Sequence, residues 1–238
     1  MHIGKKFSLR RVLRFSKKEI LFFLIVDTVP VVLYDVFGFD WLHIPWQPIS
    51  LIGIAVAFYL GFKNNSSYER LWEARKIWGG IVNASRSFTV MARDFVTNDD
   101  SNPERTDEEL QGLRKQIVHR HVAWLHCLAL ELRKLKEWEH RDQTAHNFRK
   151  ELDLIYDPEN FKKLQPYLTD KDYRYVMSKD NKSSHLLSTQ SKHLMQLRSE
   201  GVIDHFRHLK MQDQITEFYA LQGKSERIKN FPFPRQYA

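Results

Sequence analysis

Cysteine is nearly absent from this 238-residue sequence. The one copy, Cys127, excludes an intramolecular disulfide and suits a reducing compartment for the polar part of the chain. Its simplest role is that of a small buried hydrophobe on a helix. No stretch alternates apolar and polar residues well enough to be read as a strand, and there is no internal repeat or low-complexity segment. Also missing are a phosphate-cradling glycine loop, a nucleophile elbow and a zinc-protease motif. The chain therefore does not read as an enzyme, and no catalytic residue is assigned. The most informative absence is one of charge. From His43 to Phe62, HIPWQPISLIGIAVAFYLGF, there is no charged residue, in a chain whose formal net charge is +8. Such a run is long enough for a helix to cross a hydrocarbon core of roughly 30 Å at about 1.5 Å per residue.

What this run does contain is ordered. Gly53, Ala57 and Gly61 recur at intervals of four and line one helical stripe, a helix-packing surface, because small residues let backbones approach closely. Ile54, Phe58 and Phe62 form the adjacent stripe, which must face something other than that neighbour. A ring of such helices would turn its bulky stripe toward a common axis. A first apolar run, from Ile20 to Tyr34 and on to Phe39, precedes it. That run follows a basic stretch, as a signal peptide would, yet no small-residue cleavage site follows it and a second span comes soon after. It contains Asp27 and Pro30 and is the weaker span. An intramembrane carboxylate such as Asp27 is a functional candidate, or else it faces a neighbouring helix or a wet crevice; the structural reading is preferred. Lys5, Lys6, Arg10, Arg11, Arg14, Lys17 and Lys18 precede the pair of spans, and Lys63, Arg70, Arg75 and Lys76 follow it. Lys and Arg are missing from Asp35 to Gln47 between them. Positive residues mark the cytoplasmic side, so both ends of the hairpin are expected there, with Trp41 and Trp46 at the outer interface.

The composition, 42% hydrophobic and 28% charged, averages two populations, because apolar residues concentrate before residue 63 and charged ones after it. From Tyr68 through Leu71, Trp72, Trp78, Ile81, Phe88 and Phe95 the 3.6-residue period persists, so the second span is expected to run on as an amphipathic cytoplasmic helix. The stretch TNDDSNPER, 97–105, ends it. Thr106 and Glu109 have the form of a capping box, and Leu110, Leu113, Ile117, His121, Trp124, Leu125, Leu128, Leu132 and Leu135 trace the next apolar face. Asp157 and Pro158 mark a break and Thr169 to Asp172 a new start. A helix from about Ser184 should end at Gly201, and another should run from about Val202 to Gly223. The fold is thus read as all-α, a membrane helical hairpin continuing into a cytosolic helical bundle. The expected organisation is a hairpin over 1–63, a cytosolic domain over 64–223 and a linker over 224–238. His119, His121 and His126 share a helix, and His205 and His208 are three apart, but with no third ligand nearby these are read as neutral or surface histidines. No metal site is expected. Glu69, Glu73, Arg70, Arg75 and Lys76 are read as helix-surface pairs.

Two segments carry a resemblance. SLIGIAVAFYLGFKNNSSYERLWEARKIWGG, 50–80, and SERIKNFPFPRQY, 225–237, resemble the bestrophin family in its bacterial form. The shared pattern is a small-residue span, then N-x-x-x-Y-x-R, then E-A-R-x-x-W-G, and finally E-R-I leading into P-x-P-x-x-Y. The resemblance implies a homopentameric ion channel with one axial pore, a narrow hydrophobic neck on the second membrane helix, and a cytosolic vestibule closed by a second constriction. It places the three neck rings on Ile54, Phe58 and Phe62, the stripe that spacing alone selects. It places the cytosolic aperture on Phe206, by matching Leu197, Arg198 and Gly201 to an L-R-x-x-G turn. Ser225 stands where relatives often have cysteine. Relatives continue past the closing segment into two further membrane helices, so the sequence is expected to be a shortened form. The calcium-binding acidic cluster of animal relatives lies beyond the last membrane helix, and no calcium site or other cofactor is expected here.

The implied function is passive chloride conduction across the inner or plasma membrane, with the large domain cytoplasmic. The implied partners are other copies of the chain, membrane lipid and permeant inorganic ions. Sodium selectivity on the same fold is the alternative, and a non-conducting membrane-anchored adaptor is the other. Nucleic-acid binding is not expected, because the positive excess lies largely beside the membrane spans, where topology already accounts for it.

Overall fold

A computed structural model describes residues 9, 13, 16–43, 45–98, 104–136, 146, 150 and 156–231. Lys5, Lys6, Arg10, Arg11 and Arg14 of the basic stretch, residues 99–103 of the polar connection and residues 232–237 of the closing segment lie outside them. The described residues are helical, with no strand among them. They fall into two compact units: the first holds the described residues up to Ser66 together with His146 and Lys150, and the second holds those of 67–136 and 156–231.

In the first unit, helix α1 spans Lys17–Asp35, with Glu19 in its first turn, where the helix dipole favours an acid, and Pro30 inside it. None of its residues is buried. It stops short of the expected Phe39, because Gly38 takes φ +68°, a left-handed conformation that only glycine adopts without penalty. A 3-10 turn, Asp40–Leu42, follows. Helix α2, Trp46–Asp94, then begins after Pro45. Pro48 is tolerated because the amides of a first turn have no intrahelical acceptor. Among the described residues, one helical stretch is long and apolar enough to cross a membrane, and it lies in this region with a mean hydropathy of 1.4. Helix α1, interrupted by Asp27 and flanked by charge, does not reach that measure.

The second unit takes in the rest of α2 and the bundle. As the period predicted, α2 continues without a break past the apolar run and buries Ile77, Ile81, Phe88 and Ala92. Helix α3, Asp107–Arg133, opens with both halves of the capping box, the Glu109 amide donating to Thr106 and the Thr106 amide to the Glu109 carboxylate. A 3-10 segment, Pro158–Tyr167, is capped by Asp157. Helix α4, Asp170–Met177, is capped by Thr169. Helix α5, Lys182–Ser199, is capped by Asn181. Helix α6, His205–Asn230, is capped by Asp204. Helix α3 lies against α5, α6 and the 3-10 segment, and α5 lies against α6.

The turn between α5 and α6 follows from Gly201. At φ +71° it lets its own amide bond to the Arg198 carbonyl and the Val202 amide to the Leu197 carbonyl. These two bonds satisfy carbonyls that a helix end leaves free, and Leu197 and Val202 are both buried beside them. The core joins three helices through Phe88 of α2, His121 and Trp124 of α3, and Phe218 of α6. Phe218 lies 4.9 Å from Trp124 and 4.6 Å from His121 between ring centres, and edge-on to Phe88 at 5.6 Å. Burial of each apolar side chain stabilises the unit by roughly 1.5–3 kcal/mol. The polar edges of this core are satisfied. The Trp124 indole donates to Gln222 at 2.9 Å, and the Gln222 amide donates to Ser184 and Glu226, both at 2.8 Å.

Candidate functional site

The expected neck residues sit on the apolar part of α2. Ile54, Phe58 and Phe62 are 55%, 66% and 72% exposed, so none of the three is buried among the described residues. The neighbouring small stripe is equally open, since a Cβ built on Gly53 or Gly61 would meet nothing within 4 Å. Two stripes of opposite bulk therefore run side by side on a helix, with neither buried among the described residues. Asp27, on α1, is also exposed.

Phe206 belongs to the second unit and is 78% exposed. Its helix turns His208, Met211, Ile215, Phe218, Leu221, Gln222 and Ser225 inward, and Phe206 lies off that face. It is not a core residue of its own protomer. The helix end that carries it is firmly held. Asp204 accepts from the Arg207 amide at 2.9 Å and pairs with the Arg207 guanidinium, which also donates to Thr97 at 2.8 Å. The Thr97 amide in turn bonds to the Val202 carbonyl at 3.1 Å.

The histidines serve packing. His119 and His126 lie against the Tyr167 ring at 5.6 and 5.8 Å. His121 is buried, and burial pushes its pKa down to about 4. Its Nε2 lies 2.9 Å from the Ser85 hydroxyl, which already donates to the Ile81 carbonyl, so the imidazole is the donor and is neutral at physiological pH. His205 and His208 belong to no metal-competent group, and none is found among the described residues. Cys127 is buried, and burial pushes its thiol well above the usual range. Glu131 accepts from the Lys182 amide at 2.7 Å and from the amide and hydroxyl of Ser183. It thus ties the end of α3 to the start of α5, while burial raises its pKa above the ordinary carboxylate value.

One cluster had no signal in the sequence. Arg120, 4% exposed, reaches from α3 to Asp172 at 2.8 Å, to Gln190 at 3.0 Å and to Nδ1 of His193 at 2.9 Å. Arginine only donates, so Nδ1 of His193 is the acceptor and its proton is on Nε2. Burial, reinforced by the Arg120 charge, holds His193 down at about 4.

Segments 50–80 and 225–237, singled out in the sequence, meet in space as far as the second is described. Arg70 donates to the carbonyls of Ile228 and Phe231, and Arg227 pairs with Glu73 at 2.6 Å. Glu226 accepts from Gln222 and from Asn181. Gly80 permits the close approach of α6, since a Cβ there would stand 3.0 Å from a methyl of Leu221. Arg70 and Glu73 of the first motif thus meet Arg227 and Ile228 of the second at a joint between α2 and the end of α6.

The voltage-dependent anion channel-forming protein YneE of Escherichia coli is 28% identical over 190 residues, which is 80% of this chain and 51% of that one. The chain thus spans about half the length of this curated relative. The voltage-dependent anion channel-forming protein RSc3414 of Ralstonia nicotianae is 52% identical over 59 residues, 21% of this chain and 19% of that one. Among solved structures, a threonine-for-isoleucine variant of a bacterial bestrophin homologue from Klebsiella pneumoniae superposes with a TM-score of 0.69. It shares 22% sequence identity, over 92% of this chain and 70% of that one. A single-residue variant described as a membrane protein gives 0.71 at 22% identity, over 93% and 70%. These structures have the same fold. The family described as Bacterial/Fungal Bestrophin protein matches residues 11–238. With nearly the whole sequence inside that match, the chain belongs to the bacterial/fungal bestrophin family and is a membrane protein.

Proposed function

We propose that this chain forms the pore-lining and cytosolic part of an anion channel in which five copies surround one axis in the inner or plasma membrane, with the large domain cytoplasmic. The observation that carries this reading is the pair of uncovered stripes on α2. The bulky stripe of Ile54, Phe58 and Phe62 faces the axis, and the small stripe of Gly53, Ala57 and Gly61 admits the neighbouring copy. Lipid covers the outward apolar surface of both spans. Phe206 forms a second apolar ring in the cytosolic part.

The mechanism follows from what the neck lacks. Ile and Phe offer no fixed charge, so conduction is controlled by wetting: a narrow apolar constriction loses its water, and a small change in diameter restores it. Phe adds a preference for one sign. Its ring edge is partially positive, and edges turned to the axis favour an anion, whereas ring faces favour a cation. Two of the three neck rings are Phe. The names of the Escherichia coli and Ralstonia nicotianae relatives, both anion channel-forming proteins, support the same sign.

The test is reconstitution into planar bilayers, alone and extended by the C-terminal part of a longer relative, under a sodium chloride gradient. Currents reversing near the chloride equilibrium potential are expected. Reversal near the sodium potential would make the channel cation-selective, and silence of the extended chain would leave a membrane-anchored adaptor.

A further inference from the structure

Beyond the proposed pore, the bundle contains a polar cavity of about 580 Å³, walled by α3, α4 and α5. Its lining includes Arg120, Thr169, Lys171, Asp172, Lys192 and His193. The volume is that of a small-molecule site, for which roughly 300–1,000 Å³ is typical. The charges do not cancel. Three cations, Arg120, Lys171 and Lys192, stand against one carboxylate, Asp172, and Arg120 already holds that carboxylate at 2.8 Å. Lys171 and Lys192 are exposed and have no ion-pair partner among the described residues.

Donors are also in excess. Nε of Arg120 is buried without an acceptor among the described residues, and so is the side-chain amide of Gln190, whose oxygen accepts from Arg120. Buried donors are ordinarily satisfied, so the unpaired Nε of Arg120, a residue that lines the cavity, marks a place that suits an acceptor. The Thr169 hydroxyl accepts from the Asp172 amide and keeps its own proton to donate. His193, neutral and protonated on Nε2, adds a donor with no charge of its own.

We propose that this cavity binds a small phosphorylated molecule through its phosphate dianion. A net excess of two positive charges matches a phosphate ester, whose second ionisation is half complete near about pH 6 and nearly complete at the pH of about 7.5 used below, and which offers three strong acceptor oxygens. Lysines act on it as point charges, and the buried guanidinium is held in place by Asp172. The cavity exceeds the size of bare phosphate, which leaves room for the rest of the ligand.

Calorimetric titration of the full chain in detergent with inorganic phosphate at pH 7.5 tests this. Saturable binding of one phosphate per chain is expected. The exposed pair Lys171→Glu/Lys192→Glu should weaken it by at least about tenfold, and Lys162→Glu/Lys163→Glu, on an exposed face elsewhere, should not change it. Succinate, a dianion of different geometry, should bind at least about tenfold more weakly. Absent saturation, an undiminished affinity in the Lys171/Lys192 variant, or equally tight succinate would each overturn the proposal. The readout is binding rather than current, so such a failure leaves the conduction reading untouched.

Discussion

Two phenylalanines on one helix carry opposite expectations. Phe218 is fully buried between Phe88, His121 and Trp124, and its replacement by Ala should cost about 3–5 kcal/mol in transfer and cavity terms. Phe206 is exposed, so Phe206→Ala should leave the unfolding free energy within about 0.5 kcal/mol of the parent's. In channels formed by the extended chain it should change the relative permeability of small and large anions; unaltered ratios would remove it from the ion path. His121 supplies a second expectation. Burial holds its pKa at about 4 against an ordinary value near 6.5. Between those values the unfolded chain binds a proton that the folded chain refuses, so stability rises with pH across the window and is lost as pH falls through it. The full difference is on the order of 3 kcal/mol. Denaturant titrations from pH 4 to 7 should show this slope, and His121→Phe should make it shallower. An unchanged slope would mean that the imidazole is protonated in the fold.

At the level of elements, the hairpin of α1 and α2 is predicted to have both ends cytoplasmic. A cysteine at exposed Asp40 should react with a membrane-impermeant maleimide added outside intact cells; labelling that needs the membrane to be breached would reverse the topology. Cys127 does not compete, being buried with its thiol shifted upward. Local chemistry made several boundaries legible in the sequence. Thr106 with Glu109, Asp157 before Pro158, Thr169 with Asp172, and Gly201 each act through neighbours close in the chain. Boundaries set by distant contacts were not legible. Gly223 looked like a helix end, yet α6 continues to Asn230, because Arg227 and the carbonyl of Ile228 are held by Glu73 and Arg70 of α2. Those contacts outweigh a glycine penalty of about 1 kcal/mol. The expected linker therefore begins with the last turns of a helix. Arg120 was invisible for the same reason: an arginine beside an apolar stripe reads as surface until Asp172, Gln190 and His193 come from other helices to surround it.

For the whole molecule, the decisive fact is that neither α1 nor the apolar part of α2 buries a residue within one chain. Apolar area of that extent is covered by lipid or by other copies. Gly53→Leu/Gly61→Leu separates the two, because a Cβ at either position meets nothing within 4 Å in the protomer, whereas leucines there would hold a neighbouring helix away. Native mass measurement of the detergent-extracted extended chain should find five copies for the parent and smaller species for the variant, while the helical signal is unchanged. A pentamer that survives both leucines would take the small stripe out of the interface. In the proposed channel Ile54, Phe58 and Phe62 line the ion path and hold it closed by excluding water. Single-channel recording of the extended chain carrying Ile54→Ala/Phe58→Ala/Phe62→Ala addresses this directly. A wider, wetted neck is expected, with higher unitary conductance and more time open than the parent; conductance and open probability equal to the parent's would take these residues out of the gate.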